Sequence, residues 1–164
     1  MSDLYLQNRP CWVRDYHAAA TKMKIELDLT DCTKDDWVIV EQFFPFAGAI
    51  FGCIADPKEG RGALVMQSKE RCSPLTLAFA GPMDLLLKDV QPGPLTLSFT
   101  PKSMQEPAKA KLSFAIQAEL KPAEVGNVNA HVNYPIVLTT HATQLDLEDA
   151  SKRKRRIDVD EDNA

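Results

Sequence analysis

The sequence lacks the signals of a membrane or secreted protein. Its longest apolar run extends from Phe46 to Ile54, which is too short to cross a bilayer. No apolar segment of the kind found in signal peptides lies near the N-terminus. We therefore expect an intracellular protein with no membrane contact, which is cytoplasmic or, in a eukaryote or a nuclear virus, nuclear.

Cysteine is scarce and widely spaced. The four residues, Cys11, Cys32, Cys53 and Cys72, are separated by 21, 21 and 19 positions. A zinc knuckle or a redox dithiol needs pairs of cysteines only a few residues apart. The spacing therefore predicts four free thiols and no metal site.

Motifs for catalysis are also missing. The chain has no nucleophile elbow, no phosphate-binding glycine loop, no dinucleotide fingerprint and no His-Glu metal pair at helical spacing. Its three histidines, His17, His131 and His141, could meet other reactive groups only through the fold. We therefore expect a protein that is not an enzyme and binds no cofactor.

Length and charge suggest the domain organisation. The chain has 164 residues, with 19 Lys and Arg against 23 Asp and Glu, which suits one globular domain with an added tail. Without the five cations and four anions of residues 151–164, the formal charge is −5, and an acidic body disfavours a general phosphate-binding surface. We divide the chain into an N-terminal arm (1–21), a β-rich domain (22–150) and a basic-then-acidic tail (151–164).

Apolar and polar residues alternate with period two in three segments, 23–29, 112–118 and 128–138. This period is typical of antiparallel strands that bury one face and leave the other in water. Proline-rich and glycine-rich breaks separate the later segments. We predict a mainly β fold, an antiparallel sandwich or small barrel of about 7–9 strands with at most one or two short helices.

A short internal repeat supports this fold. The segment Pro74–Phe79 returns 20 residues later as Pro94–Phe99, and Leu112–Phe114 is a fainter copy. Repeated L-x-F patterns predict neighbouring strands that point the same side chains into one core. The pattern places three residues inside, Leu77, Leu97 and Phe114, and three on the opposite face, Thr76, Thr96 and Ser113.

The middle of the chain contains a predicted hairpin. Residues 56–62 have turn chemistry and separate two apolar segments, 46–55 and 63–67. Such an arrangement is typical of two strands joined by a tight loop.

Residues 34–44 carry conflicting signals. Thr33 and the acids that follow have the form of a helix start, whereas Trp37–Val40 is rich in residues that prefer strands. Both interpretations stay open, and the capping pattern favours a short helix.

The end of the chain carries two charge blocks of opposite sign. The five cations are Lys152, Arg153, Lys154, Arg155 and Arg156, and four acids follow within residues 158–162. Because charges lose their hydration on burial, this segment cannot join a core, and we expect a disordered tail. Such blocks are typical of an interaction tail, a nuclear-import signal or a nucleic-acid contact.

The N-terminal arm mixes aromatic rings with cations, among them Arg9, Trp12, Arg14 and Tyr16. Rings can stack on bases and guanidinium groups can contact phosphate, which predicts a binding site for single-stranded nucleic acid or another partner. The alternative is a strap whose apolar residues pack on the body or on a neighbouring subunit.

The third alternating segment predicts a row of polar side chains on one face of a strand. Its members are Asn127, Asn129, His131 and Asn133. They offer donors and acceptors to a polar ligand, a base edge or another chain. The alternative is an exposed face that keeps the strand in solution.

Two functions fit these observations. The first is a non-catalytic binding and assembly module that makes protein–protein contacts or self-associates, a class that includes viral and phage components. The second is an accessory protein for single-stranded nucleic acid, with an oligonucleotide-binding-type barrel and an acidic tail that competes for a basic site. The acidic body favours the first function, whereas the charged tail and the aromatic-basic arm favour the second.

Overall fold

The computed structural model describes residues 1–17, 19, 21–55 and 63–141. Its elements, in chain order, are β1 (Arg9–His17), β2 (Lys22–Asp28), α1 (Lys34–Glu41), α2 (Ala47–Ala55), β3 (Leu64–Gln67), β4 (Leu75–Ala80), β5 (Leu85–Val90), β6 (Thr96–Thr100), β7 (Lys109–Gln117), α3 (Pro122–Ala130) and β8 (Ile136–His141). The tail (151–164) and the turn predicted at 56–62 lie outside the described residues.

The predicted mainly β, antiparallel fold is confirmed. The eight strands form one sheet in the order β3-β6-β7-β2-β1-β8-β4-β5, and every pairing is antiparallel. The sheet is not closed into a barrel. The described part of the chain contains three short helices, where the sequence suggested one or two.

One face of the sheet, here the inner face, is buried. The predicted alternation on β2 and β7 is correct: Ile25 lies opposite Phe114, and Leu27 lies opposite Leu112. All four side chains belong to a single buried cluster, to which the three helices also contribute. The residues between them, such as Glu26, point to the opposite or outer face.

The L-x-F repeat shares one core, as predicted, but only two copies lie on neighbouring strands. Leu97 of β6 pairs with Leu112 of β7, whereas Leu77 of β4 is separated from β6 by four strands. Thr76 is fully buried, contrary to the prediction. Its Oγ1 has no hydrogen-bond partner among the described residues. Of the three residues predicted to lie opposite the core, only Thr96 and Ser113 remain partly exposed, and both are half-buried.

Within residues 34–44 the chain forms a helix, α1, and not a strand. Thr33 Oγ1 accepts a hydrogen bond from Asp36 N at 3.2 Å, and the Asp36 carboxylate accepts one from Thr33 N at 3.4 Å. This capping box satisfies two free backbone donors. Packing of Trp37 and Val40 on the buried cluster overrides their strand preference.

The predicted hairpin around 56–62 is wrong. Residues 47–55 form α2, and β3 pairs with β6, not with the preceding segment. An apolar run without alternation fits a buried helix as well as a strand, so periodicity could not distinguish the two.

The strand predicted over 128–138 is wrong in its first half. Residues 122–130 form α3, which begins at Pro122. Proline suits the first turn of a helix, because a backbone N–H there would have no partner within the helix. Val125, Val128 and Val132 recur at intervals of three and four residues, a helical spacing. The strand β8 begins only at Ile136.

The first residues of the chain are fixed against β8. Leu4 and Leu6 are buried, and Leu6 N donates to Thr140 Oγ1 at 2.8 Å while Thr140 N donates to Leu6 O at 2.8 Å. The Thr140 hydroxyl also donates to Leu4 O. One buried threonine therefore satisfies backbone groups of the N-terminal segment.

Candidate functional site

A β-bulge in β1 determines which residues of that strand reach the outer face. Val13 pairs with Ile25 and Asp15 with Lys24, so Arg14 is an extra residue in the strand. Beyond the bulge the alternation reverses. Tyr16 therefore packs against the buried cluster, and it does not join the exposed ring platform that the sequence suggested.

The outer face carries a group of four residues that we call the Trp12 cluster: Trp12, Arg14, Glu26 and Lys111. The Arg14 guanidinium carbon lies 4.8 Å from the centre of the Trp12 ring, and Lys111 Nζ lies 5.8 Å from it. Both distances allow cation–π attraction. The side chains of Arg14 and Lys111 remain 30% and 35% exposed, so both cations are accessible to a ligand.

Glu26 connects the two cations. Its Oε1 accepts from Arg14 Nη2 at 2.9 Å and lies 3.3 Å from Lys111 Nζ. Burial raises the pKa of this carboxyl, but the hydrogen bond from Arg14 and the charges of Lys111 and Arg14 outweigh it. The pKa of Glu26 is therefore held below its ordinary value.

The lowered pKa predicts how Glu26→Gln changes the pH dependence of stability. The ionised carboxylate contributes stability that is present above its ordinary pKa of 4.5 and is lost as the pH falls through the lowered value. In urea titrations from neutral pH to about pH 3, the stability difference between wild type and Glu26→Gln should shrink as the pH falls.

The matched control is Glu119→Gln, at an exposed residue, which should follow the wild-type curve. A wild-type-to-Glu26→Gln difference that stays constant over the acid range would contradict the lowered pKa.

A groove of about 430 Å³ lies on the outer face near the Trp12 cluster. Its polar lining residues are Asp15, His17, Lys22, Lys24, Thr96 and Ser113. The strand register places Ser113 directly opposite Glu26, so the groove and the cluster adjoin. The outer face therefore places one indole ring next to a groove that contains two lysines, a histidine, an aspartate and two hydroxyl groups.

The remaining predicted site residues are dispersed. Arg9 donates from Nε and Nη2 to Asp28 O, at 3.1 and 2.8 Å, which is a structural contact. Asn133 Oδ1 accepts from Arg14 Nη1 at 3.4 Å, so the fold brings these two predicted residues together. The block Lys152–Arg156 lies outside the described residues.

The predicted polar row does not exist, because its members lie on a helix and a turn. Asn127 Nδ2 donates to Asp84 O at 3.4 Å, His131 Nδ1 lies 2.7 Å from Asn127 O, and Asn129 is exposed. The hydrogen bonds of Asn127 and His131 support the local fold around α3 rather than a shared binding face.

A second exposed surface was not predicted from the sequence. Helix α2 contains no charged, hydroxyl or amide side chain. One side packs through Phe51, whose ring centre lies 5.2 Å from that of Phe99. We call the other side the α2 surface. It comprises Ala49, Gly52 and Cys53 together with Phe46, the residue just before the helix, and all four are exposed.

The four cysteines are free thiols and differ sharply in accessibility. Burial raises the pKa of Cys11, that of Cys32 to about 11 and that of Cys72 to about 12. Cys53 alone of the four is exposed. It is therefore the thiol that a reagent in solution reaches first.

Within the described ranges, no group of three or more His, Cys, Asp or Glu side chains is arranged to hold a metal ion. No helix among the described residues is long and apolar enough to span a bilayer. No protein-family model, no characterised protein and no solved structure matches this chain.

Proposed function

We propose that the protein is a non-catalytic assembly module that associates with a second copy of itself through the α2 surface. The observation that carries this proposal is a helix without polar side chains that leaves one side exposed. A helix that is apolar on all sides normally lies inside a protein. Exposed apolar surface of this kind is typical of protein contacts.

The backbone at Phe46 supports the proposal. This residue has a φ of +64°, a conformation that bulky side chains adopt at a cost of about 1–3 kcal/mol. Its side chain is nevertheless 75% exposed, so packing within the chain does not offset the strain. A contact with a second copy would bury the ring.

The small residues of the α2 surface suit a symmetric contact. A Cβ atom added at Gly52 would meet no other atom within 4 Å, so this side of the helix is open to a close approach. In a two-fold dimer the same patch serves both copies. Ala49, Gly52 and Cys53 would let two helices pack with their backbones close together.

Light scattering after size exclusion tests this proposal. The wild-type protein should show twice the mass of one chain at micromolar concentration. Ala49→Glu should weaken the dimer by roughly tenfold or more, because it would place an unpaired charge in the contact. Ala123→Glu makes the same change at an exposed position of α3 and should leave the mass unchanged.

Cross-linking gives a second measurement. Because Cys53 is the exposed thiol of the four, a short bis-maleimide should join two copies through it, and Cys53→Ser should abolish the product. A wild-type protein that stays monomeric at all concentrations would contradict the proposal. A dimer unaffected by Ala49→Glu would place the contact elsewhere.

A further inference from the structure

We infer that the outer face around the Trp12 cluster binds single-stranded nucleic acid, contacting phosphates with its cations and stacking a base against Trp12. This site is separate from the α2 surface. It consists of described residues on β1, β2 and β7, together with the adjoining groove.

Charge complementarity is the first support. The outward positions of the three strands carry five cations, Arg14, Lys22, Lys24, Lys109 and Lys111, against three acids, Asp15, Glu26 and Asp28. The net charge of this face is therefore positive, although residues 1–150 carry −5. A local positive surface on an acidic protein attracts polyanions to that place alone.

The arrangement of the cations is the second support. Arg14 and Lys111 both lie close to the indole ring while keeping about a third of their side chains exposed. Surfaces that bind single strands combine such rings with a cationic groove that follows the backbone. Here the groove adjoins the cluster through Ser113, and Lys22 and Lys24 line it together with His17 and one acid, Asp15.

The chemistry favours a nucleic acid over an acidic peptide. Both ligands would pair with the lysines, but only a nucleic acid has planar bases that stack on an indole. The hydroxyls of Thr96 and Ser113 in the groove can donate to phosphate oxygens or to base edges. Trp12 therefore distinguishes the two partners.

Fluorescence anisotropy of a labelled oligothymidine with the full chain tests the inference. Binding should be measurable at about 50 mM salt and weaken as salt rises, because bound phosphates release counterions. Lys24→Ala with Lys111→Ala should lower the slope of log affinity against log salt by about 0.7 per lost contact. The matched control pairs Lys69→Ala with Lys102→Ala, at two exposed lysines of other segments, and should keep the wild-type slope.

Trp12→Leu separates stacking from charge. It should weaken binding by roughly five- to a hundredfold while leaving the salt slope unchanged. Circular dichroism and thermal unfolding of each variant verify that it is folded. Each binding measurement can be repeated with Ala49→Glu added to the variant. The test of nucleic-acid binding then does not depend on whether the protein forms the proposed dimer.

Three outcomes would overturn the inference. The first is no binding at low salt. The second is a Lys24→Ala, Lys111→Ala variant that binds as the control does, which would assign any binding to the tail cations. The third is polyglutamate that competes as well as unlabelled oligothymidine at equal charge, which would assign the face to an acidic peptide.

Discussion

Replacing Phe99 with alanine should lower the free energy of unfolding by about 3–5 kcal/mol, as expected for a large buried aromatic. Phe99 has no exposed surface. Its ring centre lies 5.2 Å from that of Phe51 and 6.3 Å from that of Trp37, and each aromatic pair adds about 0.5–1.5 kcal/mol beyond burial. Through these contacts α1 (Trp37) and α2 (Phe51) pack on β6. The cavity left by alanine would therefore weaken the packing of both of these helices on the sheet.

Urea denaturation followed by tryptophan fluorescence measures this loss, because Trp37 lies next to the new cavity. Ser98→Ala is the control, since Ser98 is the neighbouring residue on β6 and faces outward opposite Lys111. It should change stability by less than about 0.5 kcal/mol. If Phe99→Ala lowered the free energy of unfolding by less than about 1 kcal/mol, the contacts of Phe99 with Trp37 and Phe51 would not be what holds α1 and α2 on the sheet.

Thr140→Val should cost about 1–3 kcal/mol although it preserves the shape of the side chain. Thr140 is 1% exposed, and its hydroxyl accepts from Leu6 N and donates to Leu4 O. Valine would leave a buried donor and a buried acceptor without partners. The N-terminal segment should then separate more readily from β8.

Hydrogen exchange of the Leu6 amide and urea denaturation together measure this effect. Thr100→Val is the control, because it makes the same change at an exposed threonine of β6 and should be close to neutral. Equal stability of the two variants, with unchanged Leu6 exchange, would contradict the role assigned to the Thr140 hydroxyl.

The parts of the fold that could be predicted from the sequence are those set by local physics. Strict alternation placed β2 and β7, because each of those strands buries one face. The capping pattern that begins at Thr33 favoured a helix over a strand at α1 without deciding between them. Val128 and Val132 misled because both are even-numbered, so they also fit the alternation that continues to Leu138. Helix α2 could not be assigned, because an apolar run has no period to read.

The candidate site could be predicted only in part. The mixture of Trp12 and Arg14 was visible in the arm, but Glu26 and Lys111 join them through the register of three strands. The bulge at Arg14 turned Tyr16 inward, and no local signal marks a bulge of this kind. Asn133 reaches Arg14 across 119 positions of sequence, a pairing that depends on the whole topology.

The position of β8 has a consequence for how the chain folds during synthesis. Strand β8, the last within the described residues, lies between β1 and β4, so the β4–β5 hairpin joins the rest of the sheet only after residues 136–141 have left the ribosome. Until then β1 and β4 each have an unpaired edge, which is prone to aggregation. A nascent chain stalled before Ile136 should therefore be a substrate for chaperones, and closure of this long-range pairing should limit the folding rate.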